Sequence, residues 1–156
     1  VGLNDIVVVA MADAVLVVNK DQVQSVKQIV NLLEQQKFSQ ALEQQRQFRP
    51  WGWFESLAIG DSFQVKRIFV NAGGALSLQS HRYRSEHWVV VEGTVRVTIG
   101  EDIKLVTEGQ SVYVPKMVIH RMENITEAPM VLIEVQIGSY LGEDDIRRYD
   151  DIYARK

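Results

Sequence analysis

The strongest constraint on this chain is the rhythm of short apolar runs between Trp51 and Ile137. WFESLAI, SFQVKRIFV, ALSLQS, HWVVVEGTVRVTI, IKLV, SVYVP, VIHRMEN and PMVLIEVQI follow one another closely, and no helical period runs through them. Turn formers separate them: Gly60-Asp61, Gly73-Gly74, Glu92-Gly93, Gly100-Glu101 and Glu108-Gly109. β-branched and aromatic side chains suit a pleated surface. About eight such runs with regular punctuation predict an all-β sandwich or barrel.

The first third of the chain has a different texture. Residues 6–10 (IVVVA) and 14–18 (AVLVV) read as two strands. Asp21 is placed to cap a helix carrying Val23, Val26, Ile29, Val30 and Leu33 on one face. Gln22, Lys27, Gln28, Asn31 and Glu34 occupy the opposite face. From about Gln35 to Gln47 the chain is Gln-rich, and reads either as more helix or as a solvated connector. This divides the sequence into an N-terminal segment, 1–47, and a β domain, 48–156. The charged, aromatic tail GSYLGEDDIRRYDDIYARK is expected to lie across the barrel surface.

Composition excludes several classes. A net charge of -3 gives no general drive toward nucleic acid or an anionic membrane. No apolar run reaches the roughly 20 residues of a membrane span. Asp13 interrupts the apolar N-terminus, which also lacks a basic leader. The chain starts at Val1 rather than Met, which suggests a fragment boundary, and the reading is of a soluble, cytoplasmic protein. With no cysteine, any metal must be held by nitrogen and oxygen.

All three histidines, His81, His87 and His120, fall in the β region. Gln79 and His81 are two apart and share one side of a strand. Glu86 follows after a four-residue loop, at the start of the apolar strand HWVVV. The turn brings that strand back beside the first, and His120 arrives from VIHRMEN. One amide oxygen, one carboxylate and two imidazoles suit a divalent first-row metal such as Zn, Mn, Co, Ni or Fe, with positions left for water or substrate. His87 directly follows Glu86 and on a regular strand faces away, so it reads as structural.

These residues carry a resemblance. The cupin family is marked by Gly, five residues, His-x-His, three or four residues, Glu, six residues, Gly. This chain has Gly73, five residues, Gln79-x-His81, four residues, Glu86, six residues, Gly93. The second cupin motif is Gly, five residues, Pro-x-Gly, two residues, His, three residues, Asn. Here it reads Gly109, five residues, Pro115-x-Met117, two residues, His120, three residues, Asn124. Gln79 replaces a histidine, a poorer ligand, and Met117 replaces a turn glycine. The resemblance implies a jelly-roll β-barrel with one divalent metal.

A narrower resemblance rests on RPWGWF, FQVKRIFV, LSLQSHRYRSEHWVVVEGTVRVTIG, VYVP, HRMEN and EVQIGSYLGEDDIRRYDDIYAR. These segments are similar to the type II phosphomannose isomerase domain that ends bifunctional mannose-1-phosphate guanylyltransferase/mannose-6-phosphate isomerase enzymes. The Gln-x-His variant is typical of that domain, whereas its histidine-rich stretch reads Ser80-His81-Arg82-Tyr83 here. Residues 1–33 resemble the close of the guanylyltransferase half. The Gly-rich nucleotide loop that opens that half is absent, so this chain alone is not expected to transfer nucleotides.

The resemblance implies interconversion of mannose 6-phosphate and fructose 6-phosphate, which needs a base, oxyanion stabilisation and a phosphate anchor. Glu134, in an apolar run, is the candidate base; its other reading is a structural ion pair. Arg84, placed in the loop between ligands, and Lys66 are the candidate phosphate anchors, with Arg82, Arg147 and Arg148 behind them. Trp51 and Trp53 are read as packing residues. Competing readings are another metal cupin enzyme (a dioxygenase or epimerase) and a non-catalytic sugar-phosphate-binding or interface module. Edge strands make a homodimer an expected partner state.

Overall fold

In a computed structural model, residues 1–11, 14–36, 38 and 46–153 are described. The chain divides into two compact units, Val1–Gln45 and Arg46–Lys156. In the first, β1 (Ile6–Ala10) pairs antiparallel with β2 (Val15–Asn19). A 3-10 turn, Lys20–Ser25, then leads into α1 (Val26–Gln35). Asn19, not Asp21, caps this entry, because its Oδ1 accepts the Asp21 amide at 3.0 Å. Most of the expected connector (37 and 39–45) and residues 12–13 between the first two strands lie outside the described residues. Among the described residues, no helix is long and apolar enough to cross a membrane.

The second unit holds two antiparallel sheets. One runs β10 (Ser111–Val114), β7 (Arg84–Glu92), β12 (Met130–Gly138), β5 (Phe63–Val70), β4 (Gly52–Ile59), β3 (Arg46–Arg49). The other runs β13 (Ile146–Asp150), β6 (Leu78–His81), β11 (His120–Glu123), β8 (Thr94–Ile99), β9 (Asp102–Thr107). Between them lies a core that includes Trp51, Trp88, Val97, Met122 and Leu132. Two strands escape the sequence pattern. β3 falls at the end of the Gln-rich stretch. The tail does not merely lie across the surface: β13 hydrogen-bonds to β6 and becomes a strand of the sheet.

The register of the central strands positions the site. Inward residues form cross-strand rows. Val70 faces Met130, and Ile68 faces Leu132, which faces Val90. Farther along, Lys66 faces Glu134, which faces Trp88, and Gln64 faces Gln136, which faces Glu86. Each strand thus runs from an apolar end into a polar one without changing its alternation. At the polar end the rows stay buried: Lys66, Glu86, Glu134 and Gln136 are all at most 5% exposed.

Two motif positions have structural work. Asn124 is buried; its Nδ2 donates toward the carbonyls of Val70, Asn71 and Ala128, and its Oδ1 accepts from Thr126. It ties the end of β11 to the end of β5. Met117, where the motif has glycine, adopts φ 65, the left-handed conformation glycine takes readily. Its amide donates to the His81 carbonyl at 2.7 Å, so the turn form is kept despite the side chain.

Candidate metal centre

Three strands deliver the cluster. In the β6–β11 register Gln79 stands opposite His120, and His81 lies two residues along β6. Glu86 enters from β7, in the facing sheet. His81, Glu86 and His120 present ligand atoms that all lie within 4.8 Å of one another, and each residue is buried. His81 Nε2 is 3.1 Å from Glu86 Oε1, and His120 Nε2 is 3.8 Å from Glu86 Oε2. Bonds of roughly 2.1 Å to a common ion put adjacent ligand atoms about 3–3.5 Å apart, so little movement is needed to enclose one.

The protonation of His120 supports that use. Its Nδ1 lies 2.9 Å from the Val118 carbonyl, which only accepts, so the proton sits on Nδ1 and Nε2 keeps its lone pair. Burial pushes the imidazole pKa down, against the pull of the Glu86 charge, and keeps it neutral. Nε2 has no hydrogen-bond partner among the described residues. A buried, unpaired lone pair beside a carboxylate is costly unless a ligand takes it.

Glu86 is held by more donors than its own strand supplies. Arg84 Nε and Gln136 Nε2 donate to Oε1 at 3.1 and 3.2 Å, and Trp88 Nε1 donates to Oε2 at 3.1 Å. Burial works against its charge. The hydrogen bond from His81, with the charge of the Arg84 guanidinium, nevertheless holds its carboxyl well below the usual range. It is a preformed anion. Gln79 is less ready: its Oε1 accepts from Ser77 Oγ at 2.8 Å, and its Nε2 faces His81 Nε2 at 3.5 Å. A half-turn of the amide presents the oxygen instead.

Glu134 lies one row from the cluster. Gln136 Nε2 donates to it at 2.6 Å while also donating to Glu86, so one amide bridges the two carboxylates. Burial and the Glu86 charge push Glu134 up to about 8, against Lys66 and Arg84. Among the described residues it has no ion pair. Lys66, its cross-strand neighbour, instead pairs with Glu143 at 2.7 Å.

Arg84 corrects its expected position. It opens β7 rather than sitting in a loop, because its inward side chain is buried between Glu86 and the Gly142 carbonyl, 3.0 Å from Nη1. Arg148 lines the same pocket as Lys66 and Arg84, whereas Arg82 and Arg147 lie on a separate surface hollow. Trp51 is in the core and reaches the pocket wall; Trp53 stacks on Phe69 at 5.2 Å. His87 is exposed, its ring 4.7 Å from Tyr113, away from the cluster. Sequence reasoning missed Ser77, Trp88 and Glu143. Trp88 had a usable signal, since it lies two residues beyond Glu86 on the same face.

Comparison with known proteins adds the family. Residues 34–151 match the model described as mannose-6-phosphate isomerase C-terminal, and residues 1–33 match a MannoseP isomerase/GMP-like beta-helix domain. The chain is 51% identical over 155 residues to the xanthan biosynthesis protein XanB of Xanthomonas campestris pv. campestris, covering 99% of this chain and 33% of that protein. It is 50% identical to the alginate biosynthesis protein AlgA of Pseudomonas syringae pv. tomato (99% and 32%). To the mannose-1-phosphate guanylyltransferase of Escherichia coli K12 it is 46% identical (99% and 32%). The chain thus spans about a third of the length of these relatives. Among solved structures it resembles an RmlC-like cupin from Shewanella frigidimarina, with TM-score 0.56, 22% identity, and coverage of 66% of this chain and 89% of that one. KdgF from Halomonas sp. aligns with TM-score 0.59 at 15% identity, covering 65% and 92%. These likenesses establish the cupin fold.

Proposed function

This chain belongs to the mannose-6-phosphate isomerase C-terminal family, and from that premise we propose that it is a metal-dependent isomerase interconverting mannose 6-phosphate and fructose 6-phosphate. The observation that carries the reading is the buried His81–Glu86–His120 cluster joined through Gln136 to Glu134. An aldose–ketose isomerase needs a charge-stabilising centre and a base within one substrate's width, and this pair supplies both.

A divalent ion held by Gln79, His81, Glu86 and His120 would supply Lewis-acid stabilisation to the oxygens on C1 and C2. Glu134 takes the proton from C2 of the aldose, the released pair forms the C1–C2 double bond, and the C1 carbonyl pair moves onto O1 to give a cis-enediolate. Glu134 returns the proton to C1, the remaining hydroxyl hydrogen passes from O2 to O1, and the ketose results. A raised pKa makes its carboxylate a stronger base than a solvated one. Gln136 orients Glu134 by its 2.6 Å bond and leaves the other carboxylate oxygen for the substrate. Lys66 and Arg84 provide cationic anchors for the phosphate on the same pocket wall.

The names of the relatives, xanthan, alginate and guanylyltransferase proteins, support a place in supplying mannose phosphate for polysaccharide precursors. In that arrangement residues 1–47 are the end of the guanylyltransferase half, and residues 48–156 are the isomerase domain of a longer cytoplasmic enzyme. The test is to measure bound metal and then assay fructose 6-phosphate conversion with added divalent ions. Turnover that follows metal occupancy supports the proposal; a fully loaded site without turnover overturns it and leaves a binding module.

A further inference from the structure

The pocket beside the cluster, lined by Lys66, Arg84, Glu86, Glu134, Gln136 and Glu143 among others, has a volume of about 50 Å³. That holds one or two waters, far below the roughly 300 Å³ at which small-molecule pockets begin. Glu143 is part of the pocket's wall, and the segment 142–145 that carries it engages both cations. Arg84 Nη1 donates to the Gly142 carbonyl, and Lys66 Nζ donates to Glu143 Oε1 at 2.7 Å. Both buried cations are therefore already satisfied by the same short segment.

The backbone of that segment is fixed on the far side. Asp145 accepts the amides of Arg82 and Tyr83 at 3.1 and 3.2 Å, and Asp144 accepts the Tyr140 hydroxyl at 2.6 Å. The Glu143 side chain is different. It is 44% exposed, while its partner Lys66 is 5% exposed. It can swing into solvent without moving the backbone, whereas Lys66 cannot follow it. A buried ammonium left without an anion is costly, so something anionic must replace the carboxylate when it leaves.

We propose that Glu143 is a specificity-determining residue: its carboxylate occupies the phosphate position at Lys66, and a ligand enters the metal-side pocket only by bringing an anion that displaces it. A phosphorylated sugar exchanges one anion for another at Lys66 and gains charge in the exchange. A neutral sugar breaks the Lys66–Glu143 pair and offers no replacement. The arrangement rejects unphosphorylated hexoses without a steric filter. It rests on the reading of Lys66 as the phosphate anchor.

The test uses calorimetric titration of the full chain with inorganic phosphate, fructose 6-phosphate and fructose. Glu143→Gln removes the competing charge and keeps the shape. It is expected to bind inorganic phosphate and fructose 6-phosphate about tenfold more tightly than the parent, a gain of about 1.4 kcal/mol. Glu143→Asp keeps the charge but withdraws it by one methylene, so a smaller gain of about threefold is expected should the Gln variant fold poorly. Unchanged or weaker phosphate binding in the folded variant overturns the proposal, as does measurable fructose binding by the parent. Binding is read without turnover, which separates this idea from the isomerase reading. Tightened phosphate binding with no isomerisation in any form overturns the isomerase reading and keeps the role of Glu143. Normal isomerisation with unchanged phosphate affinity in Glu143→Gln removes the role of Glu143 alone.

Discussion

The two ends of the barrel are built from the same strands in the same register, yet they differ in what their inward side chains hold. At one end β5, β7 and β12 contribute Val70, Val90, Met130 and Leu132, all at most 1% exposed. At the other they contribute Lys66, Arg84, Glu86, Glu134 and Gln136, also buried but polar. Burial of the first group stabilises the fold through the hydrophobic effect. Burial of the second costs desolvation, offset only through a network in which Arg84, Trp88 and Gln136 all donate to Glu86. One end of the barrel therefore carries the stability and the other spends part of it on chemistry. The difference can be attacked from both sides.

The largest effect is expected at His120. His120→Ala removes the lone pair that has no partner among the described residues, and turnover should fall at least a thousandfold with loss of bound metal. The metal-free protein should lose about 2–4 kcal/mol, because a fully buried ring packed against His81 and Trp88 goes together with its bond to Val118. Thermal unfolding with and without chelator checks this. The parent should lose stability on metal removal, through linkage, and the variant should not respond. A variant that still gains stability from metal would move the binding site elsewhere.

Glu134→Gln should cost about 10²–10⁴ in kcat while leaving metal content intact. Its second signature lies in stability. The Glu134 pKa is raised from 4.5 to about 8 in the fold. The folded state therefore holds a proton that the unfolded state releases, and stability from this group is present at low pH and lost as pH rises from about 4.5 through 8. The metal-free Gln variant should escape that loss. Above pH 8 it should be more stable than the parent by on the order of a few kcal/mol. Denaturant titrations at pH 5 and pH 9 read the crossover; parallel pH curves for the two proteins would remove Glu134 from its assigned environment.

At the apolar end, Leu132→Ala should cost about 2–5 kcal/mol, because the side chain is fully buried between Ile68 and Val90. Turnover by the remaining folded protein should stay near the parent's. A loss of kcat larger than the loss of folded fraction would mean that the polar end depends on apolar packing more tightly than the register suggests.

How much of this was legible follows the same division. The strand rhythm reports the apolar rows directly, since Met130 and Leu132 on β12 and Trp88 and Val90 on β7 recur with period two, and so the β architecture could be read. β13 could not, because IRRYD has no apolar alternation; its place comes from hydrogen bonding to β6. Ligand candidates were readable from spacing within β6 and between neighbouring segments. The bridge from Gln136 to Glu86 was not, since it depends on the cross-strand register of residues 50 apart. Glu143 fell within the charged, aromatic tail expected to lie across the surface and was not singled out, because its partner lies 77 residues away. Arg84 read as a loop residue because its charge hid that it begins a buried strand.

The smallest expected effect compares turns at the two ends. At the apolar end Gly93 takes φ 86, and an added Cβ would lie 3.0 Å from Met130 Cβ, so only glycine fits well. At the polar end Met117 takes φ 65 with a side chain 72% exposed. A left-handed residue with a Cβ costs roughly 1–2 kcal/mol, whereas glycine loses about 0.4–1 kcal/mol more through the entropy of the unfolded chain. Met117→Gly should therefore stabilise the protein by about 0.5–1 kcal/mol, since little apolar burial is lost. The amide that donates to the His81 carbonyl is retained, so metal affinity should not change. Denaturant unfolding and metal titration of the variant measure both quantities. A net destabilisation would show that the Met117 side chain packs usefully over the outer side of His81, which lines the same surface hollow.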